Sequence, residues 1–236
     1  DPDLARRLLE ELNKFRRPIP PVIMEVCGGQ THSLLRHGLD EELEGIVELV
    51  HGPGCPVCVT PAEAIDFAQW LVRKPGVILT SFGDMLRVPG SKVSLMQIRS
   101  ESEALREKVQ IVYSPSDAVT LAQRRPDCQV VFFAVGFETT APATALAVLQ
   151  ASAAGLENFS LLTAHVRVQP AMELLAGAAD CRIDGFLAAG HVCTVTGFES
   201  YELFVRQFRM PVVVTGFEPV DLLLGIRECL NLIEQR

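Results

Sequence analysis

Two short segments concentrate the reactive side chains of this chain. "MEVCGGQTH" (residues 24–32) runs from an apolar stretch into Cys27, two glycines and the polar residues Gln30, Thr31 and His32. "HGPGCPVCVTPAE" (51–63) holds Cys55 and Cys58 three residues apart among Gly52, Pro53, Gly54 and Pro56. Cys-X-X-Cys is the spacing of thiol–disulfide centres and of half a zinc site. "TPAE" (60–63) reads as a helix start, with Thr60 as N-cap, Pro61 at the first position and Glu63 three residues after the cap. The positive end of that helix would stabilise a thiolate nearby.

Cys27 stands at the carboxyl end of an expected parallel strand, where open α/β sheets bind ligands. Gly28 and Gly29 leave space above its sulfur, and Thr31 is placed to cap the next helix. If the strand before Cys55 neighbours the strand before Cys27, the three sulfurs share one sheet edge. The residues alone leave three readings of Cys55 and Cys58 open: redox or assembly thiols, metal ligands completed by Cys27 with His32 or His51, or inert cysteines.

Other segments offer weaker chemistry. "SFGDMLRVPGS" (81–91) presents Asp84 and Arg87 on a Gly/Pro loop, either as an ion pair or as a charged rim. "GFETTAPAT" (136–144) sets Glu138 and Thr139 before a helix, to bind an anion at its N–H groups or simply to cap it. It is not a phosphate loop of the Gly-Lys-Ser/Thr kind. His165 and His191 lie beside strand ends, where structural hydrogen bonding is the ordinary use of a lone histidine.

Eight apolar runs must position these groups: residues 21–26, 45–50, 77–82, 109–113, 130–136, 159–164, 184–190 and 211–216. Helical patterns fall at 61–72, 94–107, 116–124, 141–154, 170–178, 199–208 and 219–234. Strands separated by crossover helices predict an α/β fold with mainly parallel sheets. Four strands precede the "SPSD" turn at 114–117 and four follow it. The expected organisation is an N-terminal amphipathic helix over 1–20 and two similar four-stranded subdomains, 21–115 with the cysteine site and 116–236. Gly-Phe-Glu recurs in "VGFETTAP", "TGFESYEL" and "TGFEPVDL", each expected at or after a strand end.

The 236 residues are 48% apolar and 21% charged, a globular composition. A net charge of −8 without basic blocks argues against nucleic acid or an anionic membrane as partner. No apolar run is long enough to span a bilayer, and the charged N-terminal helix is not a signal peptide. Seven cysteines in such a chain suggest a reducing, cytoplasmic setting, where clustered thiols serve redox or metal chemistry.

In order and spacing, "MEVCGGQTH", "HGPGCPVCVTP", "SFGDMLRVPGS", "VGFETTAPAT", "GHVCTVTG" and "VVTGFEPVDLL" resemble the HypD family of hydrogenase maturation factors, from about residue 22 to the end. The resemblance implies a scaffold that works with the small chaperone HypC, and with HypE and HypF as cyanide suppliers, in assembling the Fe(CN)2CO unit of [NiFe]-hydrogenase. It implies that Cys27 holds iron jointly with a HypC cysteine, that Cys55 and Cys58 act in thiol redox, and that His32 lies near the iron. Gln30 stands where family members often have histidine. The family also carries a C-terminal [4Fe-4S] domain, whose cysteine-rich segment is not found here; Cys229 cannot replace four thiolates. Two rival expectations are a stand-alone thiol–disulfide oxidoreductase and a structural zinc protein.

Overall fold

The computed structural model describes residues 1–52 and 54–236; Pro53, part of the expected tight turn before Cys55, lies outside the described residues. The strands are β1 (Val22–Glu25), β2 (Glu48–His51), β3 (Val77–Ser81), β4 (Val109–Ile111), β5 (Gln129–Gly136), β6 (Phe159–His165), β7 (Gly185–Ala189) and β8 (Val212–Thr215). The first six helices are α1 (Pro2–Leu12), α2 (Gly28–Arg36), α3 (Leu39–Glu42), α4 (Ala62–Val72), α5 (Leu95–Glu101) and α6 (Glu103–Lys108). There follow α7 (Pro115–Arg124), α8 (Ala141–Ala153), α9 (Val168–Ala176), α10 (Gly190–Thr196), α11 (Glu199–Phe208) and α12 (Pro219–Glu234).

All strand pairs are parallel, in two four-stranded sheets ordered β2-β1-β7-β8 and β4-β3-β5-β6. The expected α/β class with two similar, mainly parallel sheets is what the chain forms. The two sheets also share a plan. In each, the second strand lies to one side of the first, and the third and fourth continue on the other side. Each sheet therefore has a topological switch point, at β1/β7 and at β3/β5, where ligands gather in open α/β folds.

The division of the chain differs from the expected 21–115 and 116–236. One unit comprises Asp1–Cys55 with Arg167–Arg236, and the other Pro56–Val166. The strand count on either side of residue 115 is right, but the sheets exchange halves: β7 and β8 complete the sheet that β1 and β2 begin. Apolar runs mark strands but do not encode partners, and β1 finds β7 across the whole of the second unit; Asp184 N donates to Val22 O at 2.7 Å.

In the first unit the N-terminal helix is no separate element. It covers Pro2–Leu12, continues as one 3-10 turn at Asn13–Phe15, and buries Leu8, Leu12 and Phe15 against Ile23, Leu187 and Ile226. Asp1 caps it by accepting from the N–H groups of Asp3 and Leu4. In the second unit β5 is buried on both faces and splits its side chains by the strand period. Val131 and Phe133 join Ile65, Leu79 and Ile98, while Val130 and Phe132 join Ile78 and Ala118 on the opposite face.

Local departures have local causes. The helix expected over 94–107 breaks at Ser102, whose extended backbone lets its hydroxyl cap α6 at Leu105 N. Thr60 does not cap α4: its hydroxyl donates to Pro56 O at 2.8 Å, and Pro61 occupies the cap position. The second Gly-Phe-Glu, 197–199, joins α10 to α11 rather than following a strand. Among the described residues no helix is long and apolar enough to cross a membrane.

Candidate functional site

Cys27 ends the chain path of β1 and opens α2. Its backbone is extended, and its carbonyl accepts the N–H groups of Gln30 (2.8 Å) and Thr31 (3.2 Å), so the helix starts immediately after it. The sequence placed the helix cap at Thr31, four residues too late. The N–H groups of Gly29 and Gln30 favour the anionic form of the Cys27 sulfur, but Cys27 makes no side-chain cap hydrogen bond to α2. Burial nevertheless pushes the Cys27 thiol up from its ordinary value; the two N–H groups oppose that shift and the nearby Glu25 carboxylate adds to it. Burial therefore favours the protonated thiol.

The site draws on all four strand ends of its sheet. From β1 comes Glu25, fully buried, whose Oε2 accepts Cys27 N–H at 3.0 Å. Its Oε1 accepts the Thr31 hydroxyl and His51 Nδ1–H, the latter at 2.8 Å. Beyond β2, Gly52 N–H donates to Glu25 O (2.8 Å), and Gly28 N–H donates to Gly54 O (3.2 Å). The approach at Gly54 requires glycine: a Cβ there would run into Gly28 N and lie 2.8 Å from the Cys27 carbonyl carbon. From β7 and β8 come Ala188 and Thr215, clasped by the buried Gln30 amide. Its Nε2 donates to Thr215 Oγ1 (2.7 Å) and Ala188 O (3.4 Å). Phe217, just past β8, lies over Gly29 and packs on the His191 ring at 5.2 Å between centroids.

Of the residues singled out from sequence, Cys27, Gly28, Gly29 and Thr31 are thus one constellation. His32 follows on the exposed side of α2. Cys55, half-buried, closes the first stretch of this unit, whereas the exposed Cys58 lies in the second unit. Asp84, Glu138 and Thr139 also belong to the second unit, because β3 and β5 lie in the other sheet. There Asp84 is exposed and accepts Met85 N–H at 2.8 Å. Glu138 and Thr139 sit half-buried between β5 and α8. Beside them the Thr140 hydroxyl donates to Phe137 O (3.1 Å) and meets His165 Nε2 at 3.2 Å. Burial lowers the His165 pKa.

Sequence reasoning missed Glu25 and the work of Gln30. A signal for the first exists: "VIMEV" places one carboxylate in a strand otherwise apolar on both faces, and a buried charge has a partner. Among the described residues no group of three or more His, Cys, Asp or Glu side chains is disposed to hold a metal ion. His51 Nδ1, a candidate ligand atom, is taken by Glu25.

Comparison with known proteins bears on this geometry. The family model HypD, "Hydrogenase formation hypA family", matches residues 3–236. The hydrogenase maturation factor HypD of Rhodobacter capsulatus is 45% identical over 100% of this chain and 63% of its own length. That of Azotobacter vinelandii is 49% identical over 94% of this chain and 59% of its own. That of Escherichia coli K12 is 43% identical over 100% and 63%. The chain spans about three fifths of the length of these curated relatives. A family match over nearly every residue, with relatives of this identity, places the chain in the HypD family of hydrogenase maturation factors.

Proposed function

We propose that this chain is a hydrogenase maturation scaffold on which Cys27 binds cargo iron jointly with a cysteine of a HypC-type chaperone, while the iron acquires cyanide and carbonyl. The observation that carries the reading is the placement of Cys27. It is a cysteine at the switch point of a parallel sheet, at the N-cap of a helix whose first N–H groups bond its carbonyl, with two glycines beside it. Thiolate is a soft ligand suited to such iron, and the N–H groups of Gly29 and Gln30 support the anionic sulfur once its proton has left. One protein ligand suffices when the remaining positions belong to diatomic ligands and a partner.

Cys55 and Cys58 form the accompanying redox pair: an external dithiol reduces their disulfide to the dithiol by thiol–disulfide exchange and leaves as its own disulfide. HypE supplies cyanide and HypF acts through HypE, in the cytoplasm. The described residues do not fit a resident [4Fe-4S] cluster, which requires four gathered thiolates, so this reading assigns none to them. A stand-alone thiol–disulfide oxidoreductase is the second reading, favoured by the exposure of Cys58, an attacking thiol being accessible.

The test is anaerobic co-expression with HypC, HypE and HypF, followed by metal analysis and infrared spectroscopy of the purified complex. About one iron per complex with cyanide and carbonyl bands supports the scaffold, and Cys27→Ser abolishes both. Unchanged iron in Cys27→Ser overturns the assignment. A reversible two-electron couple and disulfide reductase activity without partners, in a chain that binds neither HypC nor iron, moves the function to the second reading.

A further inference from the structure

Glu25 is a fully buried carboxylate at the end of a strand whose four residues are all buried. An apolar side chain would fill that position without the cost of desolvating a charge. Its hydrogen bonds do not go to the core. Oε2 takes Cys27 N–H (3.0 Å); Oε1 takes the Thr31 hydroxyl in the first turn of α2 and His51 Nδ1–H (2.8 Å). Glu25 and His51 are register partners of β1 and β2. Through His51, a single carboxylate thus joins the Cys27 turn to the segment that runs on to Cys55, and the Glu25 carbonyl holds the same segment at Gly52 N–H (2.8 Å). The His51 side chain is 39% exposed, so packing alone does not hold it.

We infer that Glu25 is a positioning residue that sets Cys27 in register with the Cys55 segment, with His51 as its hold on that segment. The inference rests on Cys27 being the iron ligand. The acceptor count explains the choice of glutamate. Three donors approach from two sides, and two carboxylate oxygens serve all of them, whereas a glutamine has one accepting oxygen and would turn an N–H2 toward a donor.

Three variants of the whole chain test this: His51→Ala, His51→Asn and Glu25→Gln. The asparagine amide nitrogen stands where histidine carries Nδ1–H, so it can restore the bond to Glu25. Alkylation of each cysteine by iodoacetamide is followed by mass spectrometry, alongside the thermal midpoint and the iron retained after anaerobic co-expression with HypC, HypE and HypF. His51→Ala and Glu25→Gln are expected to raise Cys27 alkylation roughly fivefold, the factor for one lost hydrogen bond, and to lower retained iron. His51→Asn is expected to return both to wild-type values. Wild-type alkylation in His51→Ala, or no recovery in His51→Asn, overturns the inference. If the wild-type complex retains no iron, the reading of Cys27 fails, and the alkylation pattern alone decides the positioning role. Should Glu25→Gln fail to fold, the two His51 variants still decide.

Discussion

Gly54→Ala puts the geometry of the Cys27 site under the most direct strain. The added methyl would meet Gly28 N, the Cys27 carbonyl carbon at 2.8 Å and Gly28 Cα at 3.1 Å, all of them backbone atoms that cannot rotate away. Overpacking of this kind costs about 1–3 kcal/mol. Relief by separation stretches the bond from Gly28 N–H to Gly54 O, now 3.2 Å, whose loss costs about 1 kcal/mol more. The sum, about 2–4 kcal/mol, lowers the melting temperature by roughly 5–15 °C for a chain of this size. Gly28→Ala is the control from the other side of the same contact. Its methyl would lie 3.4 Å from Gly54 O, an ordinary separation, at the first position of α2, so the change is neutral or stabilising by up to about 1 kcal/mol. Calorimetry of both variants, with iodoacetamide trapping of Cys27, reads the difference. A Gly54→Ala midpoint equal to that of Gly28→Ala, with Cys27 trapped no faster, would refute the close approach of the two segments.

Two further outcomes follow from burial. Burial drives the Cys229 thiol up to about 12, so in native protein at pH 8 it should stay unmodified by iodoacetamide while the exposed Cys58 reacts first; early labelling of Cys229 would contradict the packing of α12 on β7. His165 has its folded pKa held below the unfolded value near 6.5, so on acidification the unfolded chain takes up this proton first. Stability should therefore fall as pH drops below about 6.5 and level off below the folded pKa, and His165→Gln should remove that part of the slope in pH-dependent denaturation curves.

What could be read from sequence follows the range of the interaction. A strand buried on both faces shows as an apolar run because that burial is a property of the run itself, as in "VVFFAVG". Partners do not show, because β1 pairs with β7 through contacts far apart in the chain, such as that of Val22 with Asp184 at a separation of 162 residues. The start of α2 was hidden because Gly28 and Gly29 are poor helix formers with no side-chain cap before them; the turn is held by the Cys27 carbonyl and by ties to Glu25 and Thr215. Thr31 looked like a cap because hydroxyls usually serve the backbone, but its hydroxyl serves a carboxylate one strand-end away. The cysteines themselves were legible from type and spacing, and the groups that orient Cys27 were not, since a buried Glu or Gln is recognisable only with its partners in view.

The interrupted first unit sets an order on synthesis. The ribosome releases β1 and β2, with Cys27, before any residue of the second unit, yet β7 and β8 come after all of it. Until they arrive, β1 has one bare hydrogen-bonding edge, and Gln30 lacks both Ala188 and Thr215. The second unit is continuous and can close while the first waits, an arrangement in which non-local pairing comes last. An apolar strand edge is then open to wrong pairing throughout elongation. The polar clasp around Cys27 forms only after Thr215 has been made, so a nascent chain that stops short of β8 carries the cysteine without Ala188 and Thr215 in place.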